Sequence, residues 1–79
     1  MTDTSIIDKF LTDLALLFDL DINQINKETR FKEDLNATSL QYMGMISVIS
    51  ELVDQEINYA KIRKHKTIGD VIELIETMI

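Results

Sequence analysis

The chain has 79 residues, and its 14 acidic and 8 basic residues give a formal net charge of −6 at pH 7. With 46% hydrophobic residues it is too apolar for a disordered chain. A chain of this length buries only about 60% of its extended surface, so we expect one small domain over residues 1–79. The acidic balance disfavours nucleic acids as partners, because their phosphates are bound by cationic surfaces.

The sequence contains no Cys and one His. The absence of Cys excludes disulfides, thiolate metal sites and cysteine nucleophiles, and it favours a cytoplasmic location. The first apolar segment is interrupted by Asp8, Lys9 and Asp13, so neither a signal peptide nor a membrane span is expected. A single His offers little for acid–base catalysis, which favours a binding or carrier module over an enzyme.

Apolar residues recur at spacings of three and four over residues 6–18, which predicts an amphipathic helix. Residues 19–35 lose this periodicity, and we expect a long ordered loop there. The apolar residues that would hold the loop on the core are Leu20, Ile22, Ile25, Phe31 and Leu35.

The next helix begins at a capping box formed by Thr38 and Gln41, which makes Ser39 its first residue. The helix is expected to run to about Val53. Its buried stripe is predicted to comprise Met43, Ile46, Ile49, Leu52 and Val53, widened by Tyr42, Met45 and Val48.

Asn58 is the predicted N-cap of a short helix over residues 59–64. Thr67, followed three residues later by Asp70, opens a last helix. The apolar face of that helix is formed by Ile68, Val71, Ile72, Ile75, Met78 and Ile79. Because no alternating strand pattern persists, the prediction is an all-α bundle of three long helices and one short helix.

The segment over residues 31–40, FKEDLNATSL, resembles the motif Phe-x-Glu-Asp-Leu-Gly-Ala-Asp-Ser-Leu of acyl carrier proteins. The matching residues are Phe31, Glu33, Asp34, Leu35, Ala37, Ser39 and Leu40. Later hydrophobic positions also agree in spacing, so the resemblance extends over about residues 6–76. It implies a four-helix bundle of the acyl-carrier type.

The resemblance also implies that Ser39 carries 4′-phosphopantetheine derived from coenzyme A, with Thr38 and Leu40 flanking it in the cofactor site. A serine in the first turn of a helix suits a phosphate, because free backbone amides and the helix dipole favour an anion there. On this reading the protein is a non-catalytic monomer. It is modified by a phosphopantetheinyl transferase and presents thioesters to acyl ligases or synthases.

Two residues in the motif depart from the family. Thr38 replaces the family's Asp, which keeps the capping ability but removes a charge where the transferase holds its metal and coenzyme A. Asn36 replaces a Gly, a mild change because Asn also tolerates left-handed backbone angles.

The helix after Ser39 also lacks most of the acidic residues with which the family docks onto basic partner enzymes, and a basic cluster follows it at Lys61, Arg63, Lys64, His65 and Lys66. Charge complementarity sets partner choice and association rate, so a specialised pathway is indicated, unless the charges are only a solvated face. The residues expected to bind partners are Gln41, Met45, Glu51, Asp54, Glu56, Lys61 and Arg63.

Other functions are less well supported by the residues. An unmodified homologue that acts as a protein-interaction module, and a peptidyl or aminoacyl carrier, both remain alternatives. A hydrolase using Ser39 lacks a base, since His65 lies in a run of cations. A calcium loop starting at Asp19 fails because Gln24 and Arg30 stand where Gly and Glu are required.

Overall fold

The computed structural model describes residues 4–79, with side chains described from Ile6 onwards. The α-helices are α1 (Thr4–Leu17), α2 (Ser39–Val53), α3 (Tyr59–Arg63) and α4 (Ile68–Met78). No strand is formed within residues 4–79. The all-α bundle with three long helices and one short helix is therefore confirmed.

Side chains adjacent to each helix fix the starts of α2, α3 and α4. The hydroxyls of Thr38 and Thr67 each accept a hydrogen bond from the amide three residues later, and both capping boxes are complete. The Asn58 side chain accepts from the amides of Ala60 and Lys61 at 2.7 and 3.3 Å. All three predicted caps are confirmed, because capping depends on a few neighbouring residues only.

A single hydrophobic core lies between the helices and includes Phe31 from the long loop. Its fully buried large side chains are Phe10, Phe31, Leu14, Met45, Ile49, Ile62, Ile68, Ile75 and Val71. On α2 the buried residues are Tyr42, Met45, Ile49 and Val53. The predicted buried stripe was therefore wrong for Met43, which is 56% exposed. Apolar residues lie on most sides of α2, so spacing alone did not identify the buried side.

The loop between α1 and α2 is ordered by contacts with the start of α4. The Phe31 amide donates to the Lys66 carbonyl at 3.0 Å, and the Ile68 amide donates to the Thr29 carbonyl at 3.0 Å. The Gly69 amide reaches the Lys27 carbonyl at 2.9 Å. A Cβ at Gly69 would lie 2.9 Å from that same oxygen, so this approach requires glycine.

The apolar residues of the loop contribute unequally to the core. A short 3₁₀ turn, Ile22–Gln24, is capped by Asp21 and leaves Ile22 48% exposed, so Ile22 does not hold the loop on the core as expected. Leu20, Ile25 and Leu35 are half-buried against it. Within residues 4–79, no helix has both the length and the apolar character that a bilayer span requires.

Candidate functional site

Ser39 is the first residue of α2, and its side chain is exposed. The capping function belongs to its neighbour: the Thr38 hydroxyl accepts from the Gln41 amide at 3.2 Å, and the Gln41 side-chain oxygen accepts from the Thr38 amide at 2.9 Å. Ser39 is therefore not required as the cap of α2. Its hydroxyl is available to a solvent-borne reactant.

A compact turn before Ser39 fixes the direction in which α2 begins. The Asn36 amide donates to the Lys32 carbonyl and the Ala37 amide to the Phe31 carbonyl, at 3.1 and 2.9 Å. Asn36 adopts a φ of 51°, so the residue replacing the family's Gly takes the left-handed conformation that Asn tolerates.

An ion pair closes the same turn. The Arg30 guanidinium donates to both oxygens of Asp34, at 3.2 and 3.1 Å, and the Arg30 amide donates to Asp34 at 2.8 Å. The side-chain hydrogen bond from Arg30, followed by the backbone one, lowers the pKa of Asp34. The carboxylate is thus held ionised, and it ties the beginning of the turn to the segment that leads into α2.

Leu40, the other neighbour of Ser39, is a large apolar residue with 79% of its side chain exposed. It contributes nothing to the core and stands beside the Ser39 hydroxyl on the surface. Its apolar side chain is therefore open to contact by a second protein.

On the α3 side of Ser39 lies a cluster formed by Tyr42, Tyr59 and Arg63. The Arg63 guanidinium donates to the Tyr59 hydroxyl at 2.9 Å and lies 4.5 Å from the centre of the Tyr42 ring. The nearby Ser39 hydroxyl, and then the hydrogen bond from Arg63, lower the pKa of Tyr59. Burial raises the pKa of Tyr42. Tyr42 and Tyr59 therefore hold the guanidinium beside the first turn of α2.

An apolar groove of about 410 Å³ runs between α2 and α3, lined by Met43, Ile46, Ser47, Ile57 and Tyr59. Met43 and Ser47 follow Ser39 at intervals of four residues, so all three lie on one side of α2. The groove therefore begins one helical turn from the Ser39 hydroxyl.

The other predicted site residues fall into three groups. Met45 is fully buried, so its side chain belongs to the core, and its assignment as a partner contact is corrected. Gln41 is half-buried and completes the cap of α2. The exposed residues are Glu51, Asp54 and Glu56 at the end of α2 and beyond it, and Lys61 and Arg63 on α3.

Gly44 is one of the positions on α2 without an acidic residue, and its lack of a side chain has a structural reason. A Cβ at this position would lie 2.8 Å from a terminal methyl of Leu17, so the missing side chain lets α1 approach α2.

The metal and hydrolase alternatives gain no support from the structure. Asp21 caps the 3₁₀ turn, and residues 4–79 contain no group of three or more acidic or His side chains placed to hold a metal ion. Nδ1 of His65 is 2.9 Å from the Lys61 carbonyl, so this nitrogen donates to the backbone instead of acting as a base.

Tyr59 is the site residue that sequence reasoning missed. It was assigned only to the short helix, although its spacing of four from Arg63 places the two side chains together on one side of that helix. Its edge-to-face contact with Tyr42 joins residues 17 positions apart and required the packing of α3 on α2.

The cap at Thr38 gives a direct prediction for stability. Thr38→Ala should lower the free energy of unfolding by about 0.5–2 kcal/mol, because the Gln41 amide loses its acceptor. Thr38→Asp should keep wild-type stability, since a carboxylate also caps and is favoured at a helix N-terminus. Urea denaturation measures both, with Thr12→Ala in the exposed middle of α1 as the control. Equal stability of Thr38→Ala and the wild type would contradict the assigned cap.

The small all-α bundle with an exposed serine at the start of its second helix agrees with the architecture expected from the motif over residues 31–40. The chain is 40% identical over 58 residues to the acyl carrier protein of Chlamydia felis, covering 73% of this chain and 74% of that protein. It is 39% identical over 57 residues to that of Helicobacter hepaticus, covering 72% and 75%. It is 31% identical over 69 residues to that of Shigella flexneri, covering 87% and 88%.

No family model matches the chain. The three aligned regions nevertheless cover most of each relative and most of this chain, at identities of 31–40%. The chain belongs to the acyl carrier protein family. This membership supports an acyl carrier role.

Proposed function

We propose that the protein carries acyl intermediates as thioesters on a 4′-phosphopantetheine group attached to Ser39. The observation that supports this most strongly is the exposed Ser39 hydroxyl at the first position of α2, with capping left to Thr38. The apolar groove that begins one turn away suits an acyl chain. When bound, the prosthetic group supplies a flexible thiol that holds the acyl group as a thioester.

Attachment requires only the Ser39 hydroxyl from this chain. A bond forms between its Oγ and a phosphorus of coenzyme A as the phosphoanhydride bond breaks, the hydroxyl proton passes to solvent, and adenosine 3′,5′-bisphosphate leaves. The backbone amides at the start of α2 favour the resulting phosphodiester, by about 0.3–1 kcal/mol when it is exposed. Leu40, beside Ser39, provides an apolar contact for the transferase.

Incubation with coenzyme A and a promiscuous phosphopantetheinyl transferase tests this proposal. Intact mass should rise by one phosphopantetheine, and peptide mapping should place the group on the peptide that contains Ser39. An unchanged mass would overturn the proposal and favour the unmodified interaction module, an alternative that rests on Thr38 standing where the family has Asp.

We further propose that the enzymes served by this carrier differ from those of housekeeping fatty-acid synthesis. Lys61 and Arg63 are exposed cations of α3, and Arg63 stacks on Tyr42 near the start of α2. The acidic residues of α2 remain only towards and beyond its end. A basic partner surface would meet little negative charge beside Ser39. Charge complementarity acts chiefly on the association rate.

Restoring negative charge along α2 should therefore accelerate binding to a basic fatty-acid synthase. The double variant Gln41→Glu with Ser47→Glu should associate about tenfold faster at low salt, with the gain lost as salt shortens the Debye length. Stopped-flow measurement gives the rates, and Thr12→Glu with Thr77→Glu adds the same charge on α1 and α4 as a control. Equal acceleration in the control would reject a role for this part of α2.

A further inference from the structure

Arg63 is held in a fixed position by two aromatic side chains. Its guanidinium lies 4.5 Å from the centre of the Tyr42 ring and 5.8 Å from that of Tyr59, and it donates to the Tyr59 hydroxyl at 2.9 Å. The two rings are themselves in an edge-to-face contact at 6.5 Å. A guanidinium stacked in this way has lost much of its rotational freedom before any ligand binds.

Arg63 forms no ion pair in the part of the chain that the structure describes, although Glu33 lines the same cavity. The ion pairs there join Lys9 to Asp13 and Arg30 to Asp34. A guanidinium has five N–H donors, and the bond to Tyr59 uses one of them. An ordered and unpaired guanidinium of this kind is suited to a phosphate group, which it binds through several parallel hydrogen bonds.

Two observations place this cation beside Ser39. Tyr59 lines the α2–α3 groove together with Met43, which lies one helical turn from Ser39 on the same side of α2. Arg63 also stacks on Tyr42, which follows Ser39 by three residues and so lies next to it on the surface of α2. A phosphate joined to Ser39 Oγ would thus be introduced next to the phenol that already binds Arg63.

We propose that Tyr59 and Arg63 form a binding site for the phosphodiester attached to Ser39, so that α3 fixes the base of the prosthetic group. The inference rests on the proposed attachment. The Tyr59 hydroxyl donates to a phosphate oxygen. Arg63 supplies the charge and further donors. Arg63 is then a ligand of the prosthetic group and not a residue reserved for partner enzymes.

The other cations of α3 provide a matched comparison. Lys61 is exposed on the same short helix, with no side-chain hydrogen bond or ion pair in the described residues. Lys61→Gln and Arg63→Gln therefore remove one charge each from the last turn of α3, and only the second removes a group tied to Tyr59 and Tyr42.

The experiment uses wild type, Lys61→Gln and Arg63→Gln, each unmodified and loaded from coenzyme A, with loading verified by intact mass. Phosphorus NMR then reports on the single phosphorus of each loaded protein. In the folded state, we expect loaded wild type and loaded Lys61→Gln to have the same phosphorus chemical shift. In Arg63→Gln the shift should move towards that of the urea-unfolded loaded protein. The rise in melting temperature on loading should be about 2–6 °C smaller in Arg63→Gln than in the other two.

The outcomes separate this inference from the proposed function. Complete loading with the same phosphorus shift and the same melting change in all three proteins would overturn the phosphate site and leave the attachment at Ser39 intact. No mass gain in the wild type would overturn the attachment and, with it, this inference. If Arg63→Gln does not fold, Tyr59→Phe replaces it, because it keeps the ring and removes the phenol donor. A wild-type shift in loaded Tyr59→Phe would then reject the site.

Discussion

Replacing Ser39 with Ala is expected to abolish loading completely while leaving the free energy of unfolding within about 0.5 kcal/mol of wild type. In the proposed attachment the Ser39 hydroxyl is the nucleophile, and its removal leaves no oxygen in the same position at the start of α2. The fold should persist because Thr38 retains the cap and Ala is the best helix former. Intact mass after transferase treatment and urea denaturation measure the two quantities.

Ser47→Ala is the matched control for this substitution. Ser47 is an exposed serine on the same helix, two turns further along the same side, and its loss should leave loading at one group per chain. Full loading of Ser39→Ala would show that the prosthetic group is attached to another hydroxyl. Partial loading at Thr38 would show that the transferase accepts the neighbouring residue after its capping bond to Gln41 is broken.

The starts of α2, α3 and α4 could be predicted to the residue, because each is encoded by a few neighbouring residues, whereas α1 begins at Thr4 and not at Ile6. Thr38 with Gln41, Asn58, and Thr67 with Asp70 all form the caps that their order in the sequence indicates. A capping box consists of hydrogen bonds within four residues, so it needs no tertiary contact. This local encoding is also why the position of Ser39 on α2 could be predicted from the sequence.

The buried side of α2 could not be predicted in the same way. Met43 is exposed while Tyr42 and Met45 are buried, although all three are apolar enough for a core. Contacts with other parts of the chain determine which side of α2 is buried, because the Phe31 ring packs against Tyr42 and Leu17 lies against Gly44. Those contacts join distant parts of the chain, and periodicity contains no information about them.

The residues of the candidate site also differ in whether the sequence alone could identify them. Ser39, Thr38 and Leu40 could be identified from one segment that resembles the family motif, since they are adjacent in sequence. Tyr59 and Arg63 lie 20 and 24 positions from Ser39, and only the packing of α3 on α2 places them beside the start of that helix. Their spacing of four indicated a pair on one helix but not what that pair contacts.

Phe31 connects the motif to the core. It is fully buried, and its ring centre lies 6.2 Å from that of Phe18 and 5.9 Å from that of Tyr42. Its amide donates to Lys66 and its carbonyl accepts from Ala37. One residue thus joins the end of α1, the first turns of α2 and the approach to α4.

Phe31→Ala should therefore destabilise the protein by about 3–5 kcal/mol, since it removes a fully buried aromatic ring and leaves a cavity between Phe18 and Tyr42. A domain of this size has about 4–12 kcal/mol in total, so much of the stability would be lost. Urea denaturation measures the change. Leu40→Ala is the control: Leu40 lies in the same motif but is 79% exposed, and its loss should cost at most about 0.5 kcal/mol. A cost below about 1 kcal/mol for Phe31→Ala would show that the loop before Ser39 is held in place without its aromatic anchor.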